Sequence, residues 1–100
     1  MDSIMQTLEE DCPACYQCER NGSADPLDEH HVFEGTGLRP LSEKYGLKVY
    51  ICRNRCHLYG KNAVHQNIEV RRELQAKAQL AFQKRFPELD FVEIFGRNYL

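Results

Sequence analysis

The five cysteines constrain this chain more than any other feature. They fall in two groups, Cys12, Cys15 and Cys18, then Cys52 and Cys56. A Cys-x2-Cys pair that returns to a second pair some 34 residues later has the spacing of a closed zinc site. Thiolates are soft donors, and four of them neutralise Zn²⁺ in a tetrahedral shell. The first group offers two pairs, 12/15 or 15/18. Cys15 and Cys18 are preferred, because their knuckle runs more directly toward the strand that follows, while Pro13 stiffens the earlier one. The second pair is Cys-x3-Cys, one residue longer than the usual knuckle. A chain of 100 residues buries roughly two-thirds of its unfolded surface, so a metal joining two distant segments would help to hold it. The rival reading is five reduced, buried thiols.

Charge is distributed unevenly. The net charge is −2, but residues 1–34 carry −8, residues 35–72 carry +6 and residues 73–100 carry 0. The basic middle segment could meet phosphates while the whole chain stays mildly acidic. Arg39, Lys48, Arg53, Arg55 and Lys61 are its candidate phosphate contacts. No stretch approaches the ~20 apolar residues that span a bilayer, and "MDSIMQTLEEDC" has neither the basic start nor the apolar run of a signal peptide. The expectation is a cytoplasmic protein with reduced cysteines and no membrane contact.

Local patterns divide the chain. Residues 1–11 read as helical or frayed, and "ERNGSADPLD" as a turn-rich connection. "EHHVF" reads as a strand, "EGTGLRP" as a loop, and "LSEKYG" as one helical turn with Ser42 as N-cap and Gly46 as stop. "LKVYIC" alternates as a second strand. From Asn67 the period becomes helical, with Val70, Leu74, Ala78, Ala81 or Phe82, and Phe86 on one face. Pro87 interrupts, and "PELDFVEIFG" offers Phe91, Ile94 and Phe95 to a core before Gly96.

Four histidines remain: His30, His31, His57 and His65. Adjacent strand residues point to opposite faces, so "DEHHVF" puts imidazole on both faces of one strand. The ordinary reading of any one of them is a surface or capping histidine. Taken together, a Cys-x2-Cys, an acidic-His-His strand, a strand ending in Cys-x3-Cys-His and a further His resemble the zinc-containing HNH (ββα-metal, His-Me finger) nucleases. More narrowly, "DEHHVFEGTG", "SEKYGLKVYIC" and "FGRNYL" resemble a small HNH-type protein common in phages and prophages of Firmicutes.

The resemblance implies a zinc-stapled ββα-metal unit over residues 15–66 and a C-terminal helical extension over 67–100, an α+β fold. It implies a metal-dependent endonuclease that hydrolyses DNA. His31 matches the general base, and His30, His57 and His65 match ligands of one catalytic divalent ion (Mg²⁺, Mn²⁺, Ni²⁺ or Zn²⁺), held apart from the structural Zn²⁺. The Asn usual near the start of the second strand is absent from "YGLKV". His57 and His65 are eight apart, about 12 Å along a continuous helix, so both reach one ion only if the chain breaks at "LYGKN". Partners implied are DNA and, for sequence specificity, a second copy or a phage or host replication or recombination protein. The rival from another class is a non-catalytic zinc module that binds DNA or such a protein.

Overall fold

The two expected strands pair. In the computed structural model, which describes residues 1–7 and 13–100, β1 (Leu27–His31) runs antiparallel to β2 (Lys48–Cys52). The register sets His30 opposite Val49 and His31 opposite Lys48. Directly opposed residues share a face. Asp28 and His30 therefore lie on the face of Val49 and Ile51, and Glu29 and His31 on the face of Lys48 and Tyr50. The alternation separates the two histidines, as the strand reading requires. Cys12, the alternative thiolate, lies outside the described residues.

A two-stranded ribbon leaves edges that need partners. On the β2 side the N-terminal segment supplies them. Tyr16 N–H donates to Tyr50 O (2.9 Å), and the Gln6 side chain accepts from Tyr50 N–H (2.8 Å) while donating to Ala14 O (2.7 Å). Residues 1–7 form no helix.

Between the strands, α1 (Arg39–Tyr45) ends at Gly46, whose φ of 71° is the left-handed stop expected there. Its start differs from expectation. The helix begins before Ser42, with Leu38 at the cap position, and Ser42 is buried within it. Its hydroxyl donates to Phe33 O (2.9 Å) and accepts from Phe33 N–H (3.1 Å). Satisfying the buried backbone just beyond β1 outweighs a local cap.

After β2 the chain widens into a π-helical turn, Arg53–Leu58, then enters α2 (Ile68–Arg85) and α3 (Phe91–Phe95). Asn67 caps α2 by accepting from the N–H groups of Glu69 and Val70. Of the expected stripe, Leu74, Ala78 and Phe82 are buried, Phe82 rather than Ala81 filling the ambiguous position. Val70 and Phe86 are only partly covered. Phe91 and Phe95 stack at 4.4 Å between ring centroids and meet Phe33, which itself packs on Tyr99 at 4.6 Å. The outcome is a small α+β fold: one ribbon, with helices packed around an aromatic core. Among the described residues, no helix is long and apolar enough to cross a membrane.

Candidate metal centres

Cys15, Cys18, Cys52 and Cys56 converge, each offering its Sγ to a group of atoms within 4.8 Å of one another. Cys18 Sγ stands 3.6 Å from Cys52 Sγ. Four thiolates at 2.3 Å from a tetrahedral zinc would stand ~3.8 Å apart. The N–H groups of Gln17 and Cys18 both point at Cys15 Sγ (3.4 Å each), so the knuckle is ready to stabilise negative sulfur. Burial acts to raise the Cys15 thiol, but backbone N–H groups outweigh it and bring it down to about 7. Desolvation and the neighbouring thiols push Cys52 up to about 12 and raise Cys56 as well. Four thiols crowded like this cannot all ionise without a cation among them. The donor set, spacing and oriented N–H groups fit a structural metal such as zinc. The Cys-x3-Cys pair is accommodated by the π-turn, which wraps from Cys52 past Cys56.

Cys56 is followed directly by His57, which begins a second cluster. His30, His57 and His65 bring their rings to centroid distances of 5.0, 5.5 and 4.7 Å, and one nitrogen from each lies within 4.8 Å of the others. His65 reaches the cluster because the chain breaks at Gly60. There Gly60 N–H donates to Asn54 O (2.9 Å), Val64 N–H to Cys56 O (2.8 Å) and His65 N–H to His57 O (3.2 Å). A Cβ on Gly60 would overlap the Arg55 carbonyl, so only glycine permits this return.

Carboxylates orient these rings. Asp28 Oδ2 lies 3.2 Å from His57 Nδ1, and its Oδ1 accepts from Arg53 Nε at 3.0 Å. An ionised carboxylate only accepts, so it places the His57 proton on Nδ1 and leaves Nε2 as a ligand. Glu34 Oε1 stands 3.3 Å from both His30 Nδ1 and His65 Nε2. His30 is 3% exposed, and its Nε2 has no hydrogen-bond partner among the described residues. Desolvation first, then the neighbouring histidines, pull its pKa down to about 3, so the ring is neutral. A neutral, buried nitrogen with no partner beside two further imidazoles fits a divalent cation. A fully formed site would draw the three nitrogens to ~3.0–3.4 Å apart.

His31 sits outside this triad but lines the same concavity of about 370 Å³, together with Gly35 and Arg39. Its Nε2 lies 3.1 Å from Glu43 Oε1 and 3.5 Å from Glu29 Oε1. Glu43 is held in turn by Lys48 Nζ at 3.1 and 2.9 Å. These contacts, Lys48 first and His31 next, lower the Glu43 carboxyl to about 2. Glu29, His31 and Glu43 also cluster, but the Lys48 ammonium already supplies the positive charge there.

The basic candidates separate. Lys48 is not an exposed cation as expected: its side chain is 9% exposed and tied to Glu43 of α1, with Glu29 of β1 at 3.7 Å, so its charge is met within the fold. Arg53 is exposed but engaged by Asp28. Arg39, Arg55 and Lys61 are exposed, and no carboxylate pairs with them among the described residues. Asp25 accepts from the N–H groups of Asn54 and Arg55 (3.0 and 2.9 Å) and caps the π-turn.

Sequence reasoning missed Asp28, Glu34 and Glu43. For Asp28 a signal existed, since it stands two residues before His30 and shares its face.

No protein-family model, curated protein or solved structure matches the chain.

Proposed function

We propose that this chain is a metal-dependent endonuclease that hydrolyses phosphodiester bonds in DNA, as the HNH resemblance implies. One observation carries the reading. A triad of imidazoles, with one buried neutral nitrogen left unpartnered, shares an open concavity with a fourth histidine held by its own carboxylate.

His30, His57 and His65 would hold the divalent ion, with Asp28 and Glu34 fixing the rings. Bound there, such an ion polarises the scissile phosphate and stabilises charge on the leaving 3′ oxygen. His31 does the proton work. Glu43 engages its Nε2, so the proton rests on that nitrogen and Nδ1 keeps its lone pair. As water oxygen bonds to phosphorus and the bond to the 3′ oxygen breaks, His31 takes the water proton. Glu43 stabilises the imidazolium that forms. Arg39, at the rim, offers a guanidinium to a flanking phosphate.

The test is plasmid cleavage and Mn²⁺ titration on four alanine variants. His31→Ala should keep ion binding and lose about 10²–10⁴-fold in cleavage. His30→Ala, His57→Ala and His65→Ala should lose ion affinity, partly restored by excess metal. Cleavage that persists in all four would reject the enzyme and favour the non-catalytic zinc module.

A further inference from the structure

The helical extension carries a charged groove that the histidine centre does not account for. Arg71 and Arg72 of α2 and Arg97, beyond α3, line a depression of about 400 Å³. No carboxylate forms an ion pair with any of the three among the described residues, whereas Arg53 and Lys48 elsewhere are paired. The C-terminal segment is held at the groove by a buried side chain. Gln79, 1% exposed, donates from Nε2 to Asn98 Oδ1 (3.0 Å) and accepts from Tyr99 N–H (2.7 Å). Tyr99 packs on Phe33, and Arg97 lies over the Tyr99 ring at 5.1 Å. A buried glutamine inside an apolar helix face is a strong device for fixing a tail. Its effect is to bring Arg97 to the arginines of α2. The groove adjoins the histidine concavity, with Glu34 lining both.

We infer that this groove is a second phosphate track, gripping nucleic-acid backbone on one side of the cleavage point. The inference rests on the proposed nuclease function. Guanidinium groups match phosphate oxygens in a planar fork and read no base sequence. Adjacency to the histidine concavity favours a polyanion that spans both, which an extended nucleic acid does and a compact acidic protein does not. Of the carboxylates on the path, Glu34 is turned to His30 and His65, and Glu29 to His31 and Lys48.

The experiment is fluorescence anisotropy of a labelled 20-base-pair duplex, without added divalent ion, across 25–200 mM KCl. Variants are R71Q/R72Q/R97Q, the lysine counterpart R71K/R72K/R97K, and the exposed single R97Q. Each phosphate contact contributes ~0.9 to the slope of log affinity against log salt. The triple glutamine variant should lose about 1–3 from that slope and bind at least tenfold more weakly at low salt. The lysine variant should keep the slope, because the slope counts charge. R97Q should lose up to ~0.9, and it carries the test if circular dichroism shows the triple variant unfolded. A wild-type slope in R97Q and in a folded triple glutamine variant overturns the groove and leaves the nuclease reading standing. A lysine variant whose slope falls as far as the glutamine one's also overturns it. Polyglutamate competing as well as duplex of equal charge would assign the groove to an acidic protein instead. Wild-type protein that fails to bind duplex at 25 mM KCl overturns both readings.

Discussion

Replacing His30 by leucine should make the metal-free centre more stable and unable to use metal. His30 is almost fully buried and its Nε2 is unpartnered among the described residues. An unsatisfied buried polar atom costs ~1–3 kcal/mol. Leucine has a similar volume, so repacking costs little. The substitution also removes the Nδ1 contact with Glu34 at 3.3 Å, but that carboxylate is half exposed and the contact is worth at most ~1 kcal/mol. The net gain is ~1 kcal/mol, a rise in Tm of roughly 4–8 °C for a domain this size. Wild-type protein should gain ~2.7 kcal/mol from Ni²⁺ or Mn²⁺ at one hundred times Kd, by mass action. His30→Leu should gain nothing, so the order of stability reverses as ion is added. The assay is thermal denaturation by circular dichroism, with one Zn²⁺ per chain verified by metal analysis before titration. A variant less stable than wild type without added ion refutes the argument that the orphan nitrogen is a burden. Equal stabilisation of both proteins by Ni²⁺ refutes His30 as a ligand.

Further outcomes follow from the same geometry. Asp28→Asn should weaken divalent binding about 10–100-fold, because it removes the carboxylate that sets the His57 tautomer; calorimetric titration with Mn²⁺ checks it. Gly60→Ala should destabilise by more than ~1 kcal/mol, as the added methyl meets the Arg55 carbonyl, and should lower ion affinity by displacing His65; urea denaturation and the same titration read both. Cys56→Ser should abolish stoichiometric zinc and cooperative unfolding, since structural zinc is worth ~10–16 kcal/mol against a typical stability of ~5–15 kcal/mol. Glu43 has a folded pKa near 2, below its ordinary 4.5. Its contribution is therefore complete above pH 4.5 and is lost as pH falls toward 2. Discounted for an exposed side chain, it amounts to ~1 kcal/mol or less. Glu43→Gln should flatten acid denaturation in that window.

Spacing and periodicity carried much of this fold. The cysteine pairs announced their own convergence, because few roles besides metal binding need thiols at those intervals. The α2 stripe was legible from apolar residues three and four apart. Gln79 was not, because a buried amide breaks the pattern and its partners, Asn98 and the Tyr99 backbone, come from a distant tail. Ser42 misled for a related reason: its sequence neighbours suggest a cap, while its hydroxyl serves Phe33 across the fold. The histidines could be grouped from sequence once Gly60 was allowed to turn the chain. Their orienting carboxylates could not, since an acidic residue on a loop or helix looks the same whether it meets water or an imidazole. Lys48 shows the converse, a cation whose cross-strand and helical neighbours cancel it.

Cys56 and His57 are consecutive residues of one π-turn, so the sulfur and imidazole centres share a single peptide unit. Ions held at both would be thermodynamically linked. An ion at the histidines would require the turn to be shaped, a metal at the cysteines would shape it, and each occupant would tighten the other by the same factor. Filling the histidine centre should slow chelation of zinc from the cysteines. Scarcity of zinc would silence the histidine centre even where its own ion is abundant.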